Sequence, residues 1–267
     1  MSSFLLIHGS WHGGWCWKKI VPLLQQAGHT VLAPDLPGHG EDPTPIEECT
    51  PEREIQRLEE LLAGFQEPAF LVGHSSGGML ITELARRHPW KVRGLVYLSA
   101  FLLPPGVLPP MLMREDTESI LGASLEVDEE RKQVRVRKEA ARTVFYADCS
   151  EEDVARAISL LVPEPLRPRV EEAASRLSVR ESEALPRYYI ECLQDKALGP
   201  SMQRKMYTSL PCQKVYSLPT SHSPFLSAPE RLAECLLDIA RSQPKRDAHS
   251  EASKHPSVAS GTDEHEG

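Results

Sequence analysis

Short apolar runs separated by stretches of helical periodicity set the rhythm of this 267-residue chain. Residues 4–7, 30–33, 69–72, 94–98, 188–192 and 214–218 read as strands, because a strand covered on both faces needs no polar alternation. Between the second and third runs, Thr50 precedes Pro51, and Ile55, Leu58, Leu62 and Phe65 follow at roughly helical spacing. That pattern predicts a capped helix with one face against a sheet. A second helix is expected from Gly77, through Met79, Leu80, Leu84 and Ala85, ending before Pro89. A last one spans about residues 229–241. Strands alternating with helices build a mostly parallel sheet flanked by helices, an α/β fold.

The rhythm fails at residues 102–185. There "LLPPGVLPPMLM" and "DEERKQVRVRKE" give way to helix-like pieces broken by Pro163, Pro165 and Pro168. This stretch reads as an inserted helical cap, with Ser150 ahead of Glu151, Glu152 and Asp153 as the N-cap of one of its helices. The apolar prolines wall a pocket or pack the cap on the rest; both readings are open. Residues 1–101 and 186–241 then form the main α/β domain that carries the sheet. Residues 242–267 are polar and free of aromatics, and are expected to be a disordered tail.

Composition narrows the partners. A formal charge of −8 and the lack of a basic stripe exclude a nucleic-acid backbone, so a small molecule is the expected ligand. With 40% hydrophobic and 25% charged residues, the chain can fill a core without disulfides or metals. Its six cysteines are scattered without zinc or disulfide spacing. The opening "MSSFLLIHGS" has neither a basic leader nor a span-length apolar run, so no membrane association and a cytoplasmic location are expected. Self-association to a homo-oligomer is left open.

The chemistry centres on "AFLVGHSSGGML", residues 69–80, where Gly73, Ser75 and Gly77 satisfy G-x-S-x-G between a strand and a helix. A serine in such a turn projects its hydroxyl from the sheet edge. A glycine-rich turn that only packs a helix closely is the plainer alternative, and the strand-helix context favours the nucleophile. Serine is inert at neutral pH without a base. Of ten histidines, His222 lies between the last strand and the last helix, in "SLPTSHSPFLSAPERL". His249, His255 and His265 fall in the tail, His29 and His88 close helices, and His74 is expected to point away from Ser75. The acid that orients the imidazole is expected after the preceding strand, where "RYYIECLQDKALGP" offers Asp195. An aspartate near Gly and Pro commonly caps a loop, but the order Ser75, Asp195, His222 gives it the catalytic role. Asp148 and Asp153 are weaker candidates. The oxyanion donors are expected to be the backbone N–H groups of Ser10 and Ser76. His8 and His12 have metal-like spacing without an acidic or cysteine partner, so neither metal nor cofactor is expected.

"HGSWHGGWCW", "DLPGHG", "GHSSGG", "YYIECLQDK" and "SLPTSHSPFLSAPERLAECL" together resemble the α/β-hydrolase superfamily. More narrowly they resemble the plant hydroxynitrile lyase and methylesterase branch, with bacterial carboxylesterases such as the pyrethroid hydrolases. The likeness covers residues 4–101 and 186–240. It implies the α/β-hydrolase fold and, independently, Ser75, Asp195 and His222 as the triad. Lyases of this branch carry threonine after the first-motif histidine and lysine after the catalytic histidine; this chain has Gly9 and Ser223 there. Without a cation for cyanide the resemblance favours the esterases. Ser76 departs from relatives that often carry an apolar residue after the nucleophile. A serine nucleophile also sets aside the dehalogenases and epoxide hydrolases, while perhydrolase activity stays open. The expected activity is cofactor-independent cleavage of small hydrophobic carboxylic esters through an acyl-enzyme. A cyanohydrin lyase and a small-molecule receptor on a hydrolase scaffold are the alternatives.

Overall fold

The computed structural model describes residues 1–166 and 185–242. The strands are β1 (Ser3–Ile7), β2 (Thr30–Leu32), β3 (Ala69–His74), β4 (Val92–Leu98), β5 (Leu125–Asp128), β6 (Gln133–Val136), β7 (Glu164–Pro165), β8 (Arg187–Cys192) and β9 (Lys214–Leu218). The α-helices are α1 (Ile20–Gln26), α2 (Pro51–Ala63), α3 (Gly77–Arg87), α4 (Pro109–Glu115), α5 (Lys138–Phe145), α6 (Glu151–Leu160), α7 (Pro200–Ser209), α8 (Pro224–Ser227) and α9 (Pro229–Ser242). All six expected strands are present. They form one sheet in the order β2-β1-β3-β4-β8-β9, with every neighbouring pair parallel.

The unbroken apolar runs have a physical reason: both faces of the sheet are covered. Phe4, Leu6, Phe70, Val72, Val96 and Leu98 turn to one side, where Ile20 and Leu24 of α1 and Leu232 and Leu236 of α9 meet them. Their neighbours Leu5, Ile7, Leu71, Leu95 and Tyr97 turn to the other, against Leu58 and Leu62 of α2, Ile81 and Leu84 of α3, and Met202 and Met206 of α7. A parallel sheet gathers the carboxyl ends of all its strands at one edge, where its loops can build a site. The expected caps are formed. Thr50 Oγ1 accepts from the Arg53 amide at 3.2 Å, and Ser150 Oγ from the Asp153 amide at 3.2 Å.

Between β4 and β8 the chain leaves the sheet. Helix α6 starts at the expected Ser150 cap and α5 lies among the expected helix-like pieces, but α4 forms inside the proline-rich stretch and a small antiparallel sheet, β5-β6-β7, accompanies them. Ala141, Val144, Phe145 and Tyr146 join the core on the α1/α9 side, so this insertion is packed into the molecule. Of the apolar proline-rich stretch, Leu102 and Leu112 are buried in the opposite core while Met111 and Met113 are exposed. Residues 167–184 of the expected cap and 243–267 of the expected tail lie outside the described residues. Among the described residues, no helix is long and apolar enough to cross a membrane.

Candidate active site

Strand β3 ends on His74, and the next residue takes the turn. Ser75 has φ 53, the left-handed region that a non-glycine residue adopts only under constraint. Its backbone is held from three sides: its amide donates to the Leu98 carbonyl at 3.2 Å, and its carbonyl accepts from the Gly78 and Phe101 amides at 3.2 and 3.0 Å. Ser76 already has helical φ and ψ of −60 and −25 at the start of α3. The glycines around the turn are demanded by close approach. A Cβ on Gly73 would lie 2.5 Å from the Gly77 carbonyl oxygen, and one on Gly9 would lie 2.7 Å from Ser75 Cβ.

His222 sits in the loop between β9 and α8, 1% exposed. Its Nδ1 donates to Asp195 Oδ2 at 2.7 Å, which leaves the lone pair of the neutral ring on Nε2. Asp195, in the loop after β8, is fully buried yet well supplied with donors. Oδ1 accepts from the Ala197 and Leu198 amides at 2.7 and 3.0 Å. Oδ2 accepts from Gln203 Nε2 at 3.1 Å and from the Ser99 hydroxyl. Both oxygens of the buried carboxylate therefore have hydrogen-bond donors inside the protein.

Two residues tie the imidazole to the serine turn. Ser99, directly after β4, touches both Asp195 and His222 Nδ1, the latter at 3.4 Å. His74, expected to point away from Ser75, reaches the His222 loop: its Nε2 donates to the His222 carbonyl at 2.9 Å, and the two rings lie 4.4 Å apart. It is the last, inward-facing residue of a fully buried strand, and burial drives its pKa well below the ordinary histidine value, with the His222 charge in support. Ser75, Ser99, Asp195 and His222 thus follow β3, β4, β8 and β9 at one edge of the sheet. Ser99 and Gln203 were not singled out from the sequence, and the contact of His74 with His222 was not foreseen. Only the place of Ser99, immediately after a strand, offered a signal.

The loop after β1 borders the same turn. The Ser10 amide, expected as an oxyanion donor, is engaged: it donates to Ser76 Oγ at 2.8 Å, and Ser10 Oγ reaches that oxygen at 3.0 Å. His8 and His12 use both ring nitrogens to shape this loop. His8 Nδ1 donates to the Gly9 carbonyl at 2.8 Å while Nε2 accepts from the Leu36 amide at 3.1 Å. His12 Nδ1 donates to the Ser10 carbonyl at 2.8 Å, and Nε2 accepts from the Tyr146 hydroxyl at 2.8 Å. Burial holds His8 down at about 3 and His12 at about 4, so both are neutral. Of the weaker acids, Asp153 pairs with Lys19 at 2.8 Å, and Asp148 accepts from the Ser221 hydroxyl.

A parallel sheet with helices on both faces and a left-handed serine turn after its third strand defines a class, and residues 4–235 match the profile of the Alpha/beta hydrolase family. The chain belongs to that family. A pyrethroid hydrolase from Sphingobium wenxiniae is 34% identical over 258 residues, 90% of this chain and 88% of that protein. Methylesterase 17 of Arabidopsis thaliana is 30% identical over 252 residues, 89% of this chain and 91% of that protein. Among solved structures, polyneuridine aldehyde esterase superposes with a TM-score of 0.82 at 27% identity, covering 90% of this chain and 99% of that one. A pyrethroid hydrolase from Sphingobium faniae gives 0.80 at 34% identity, covering 90% and 98%.

Proposed function

We propose that the protein is a carboxylic ester hydrolase in which Ser75, His222 and Asp195 act as nucleophile, base and orienting acid. One observation carries the reading: the 2.7 Å bond from His222 Nδ1 to buried Asp195, at the sheet edge where Ser75 occupies its left-handed turn. His222 Nε2 takes the Ser75 proton as the hydroxyl attacks the ester carbonyl, and the resulting imidazolium is stabilised by the Asp195 carboxylate. The histidine then returns the proton to the departing alcohol. Water, deprotonated by the same ring, hydrolyses the acyl-enzyme and regenerates Ser75.

The tetrahedral oxyanion is received by the Ser76 and Ser10 amides. In the resting site the Ser76 hydroxyl satisfies the Ser10 N–H, and the oxyanion replaces it as acceptor. No cofactor takes part in this chemistry. The names of the relatives, a pyrethroid hydrolase and methylesterases, support hydrophobic carboxylic esters as substrates. The crowding at Gly9 and the uncharged Ser223 weigh against cyanohydrin cleavage.

Hydrolysis of p-nitrophenyl acetate, butyrate and laurate by wild type and Ser75→Ala tests the reading. The substitution is expected to lower kcat by about 10⁴- to 10⁶-fold, with the shorter esters preferred in the wild type. A loss smaller than about tenfold in folded protein overturns the assignment.

A further inference from the structure

Trp11 follows Ser10 directly, and its φ of 63 is one that a bulky residue does not hold unaided. The inserted segment supplies the restraint. The Trp11 amide donates to Glu164 Oε1 at 2.8 Å, its carbonyl accepts from the Val162 amide at 3.0 Å, and its indole Nε1 donates to the Val134 carbonyl at 3.1 Å. The Ser10 carbonyl, in the same peptide plane as the Trp11 amide, accepts from His12 Nδ1 at 2.8 Å. That peptide is gripped on both sides, so the chain cannot turn about the Ser10 Cα without breaking partly buried hydrogen bonds.

Glu164 is itself locked. Its Oε1 also accepts from His39 Nε2 at 2.8 Å, while His39 Nδ1 donates to the Pro37 carbonyl at 3.0 Å. A ring that faces two acceptors needs a hydrogen on each nitrogen, so the contact is an imidazolium–carboxylate pair. Its side chains are only 4% and 14% exposed. Burial alone lowers the His39 pKa; the bond to Glu164 and its charge, the Pro37 carbonyl and Glu54 outweigh it and raise the ring above its ordinary value. A buried ion pair is poor evidence of stabilisation, since apolar residues of similar volume often serve as well or better. Here the shared oxygen lands on the turn beside the nucleophile.

We propose that Glu164 is a positioning residue for the oxyanion hole: through the Trp11 amide its carboxylate fixes the turn that presents the Ser10 N–H beside Ser75. The proposal rests on the serine-esterase reading above. Seating of the insertion and assembly of the hole are then one event, because β7 carries the clasp and the loop after β1 receives it.

Three variants and one inhibitor test this. Glu164→Ala removes the acceptor, Glu164→Asp keeps the charge but shortens the reach, and Glu164→Gln keeps an oxygen at the same reach without the charge. The first two are expected to lower kcat by about 10- to 100-fold, short of the about 10²- to 10³-fold loss of an oxyanion donor outright. KM should stay within about threefold, Ki for a trifluoromethyl ketone should rise in step with the kcat loss, and Glu164→Gln should recover most of both, as expected for an interaction made in the transition state. If the alanine variant does not fold, the aspartate and glutamine variants carry the comparison. Ser75→Ala separates the two claims. Ester turnover within about tenfold of wild type in that variant overturns the reading of Ser75 as nucleophile, on which the proposal rests. An inactive Ser75→Ala beside a folded Glu164→Asp with wild-type kcat and wild-type ketone affinity, or with its whole effect in KM, overturns the positioning role alone.

Discussion

Ser75 and Ser76 are chemically alike and one peptide apart, and their backbones divide the work. Only Ser75 lies in the left-handed turn, at φ 53; Ser76 starts α3 and turns its hydroxyl to the Ser10 amide and hydroxyl, at 2.8 and 3.0 Å. In the proposed reaction that hydroxyl competes with the oxyanion for the Ser10 N–H. A neutral hydrogen bond contributes about 0.5–1.5 kcal/mol net, and one to an anion roughly twice as much, so the exchange favours the transition state. Ser76→Ala removes the competitor and is expected to raise kcat/KM for p-nitrophenyl butyrate by about 2- to 10-fold. A fall of more than tenfold would mean that the hydroxyl itself donates to the oxyanion. The candidate residues Ser75, Asp195 and His222 could be picked from the sequence because each is marked by its place after a strand and by chain order. His74, Ser99, Gln203 and Glu164 could not, since their roles arise from contacts across the fold. Ser99 reaches Asp195 over 96 positions, and no local pattern encodes such a meeting.

At the scale of elements, the parts with strong local signals were readable. The six sheet strands appear as apolar runs because both faces are buried, and Thr50 and Ser150 mark their helices by capping chemistry. The small sheet was not readable. β5 and β6 mix charged with apolar residues, β5 being half exposed with Val127 at 50% and β6 buried only at its two ends, and β7 is two residues long and contains a proline. Their pairing depends on neighbours more than on pattern. Helix α7 was missed for a related reason: its sequence, PSMQRKMYTS, is mostly polar, and one of its few buried residues is Gln203 beneath the acid. The turn after β1 is tight enough to constrain substitution. A Cβ at position 9 would meet Ser75 Cβ at 2.7 Å, so Gly9→Thr is expected to lower stability by about 1–3 kcal/mol and to reduce esterase kcat. It should release no cyanide from mandelonitrile. Thermal unfolding and the two assays check this, and an unchanged Tm with new cyanide release contradicts it.

Across the whole molecule, acid is the weak direction. His8, His12 and His74 are buried and neutral, with His8 lowered from 6.5 to about 3 and His12 from 6.5 to about 4. Between about pH 6.5 and 4 the unfolded chain binds protons at these rings that the native chain refuses, so stability falls as pH falls. His39 acts in the opposite sense. Its raised value adds stability that is fully present below 6.5 and is lost as pH climbs through the raised pKa. His29 is lowered too, chiefly by burial, so among the described histidines with shifted values four rings oppose one; Tm is therefore expected to drop from pH 7 to pH 5, and a flat or rising Tm over that interval contradicts the balance. The strand order carries a different consequence. Ser75 lies early in the chain, whereas the imidazole proposed to activate it follows β9, the outermost strand on its side of the sheet. On the proposed mechanism, a polypeptide still emerging from the ribosome holds a silent serine, and reactivity towards an acylating probe is expected to start only when the final strand has docked.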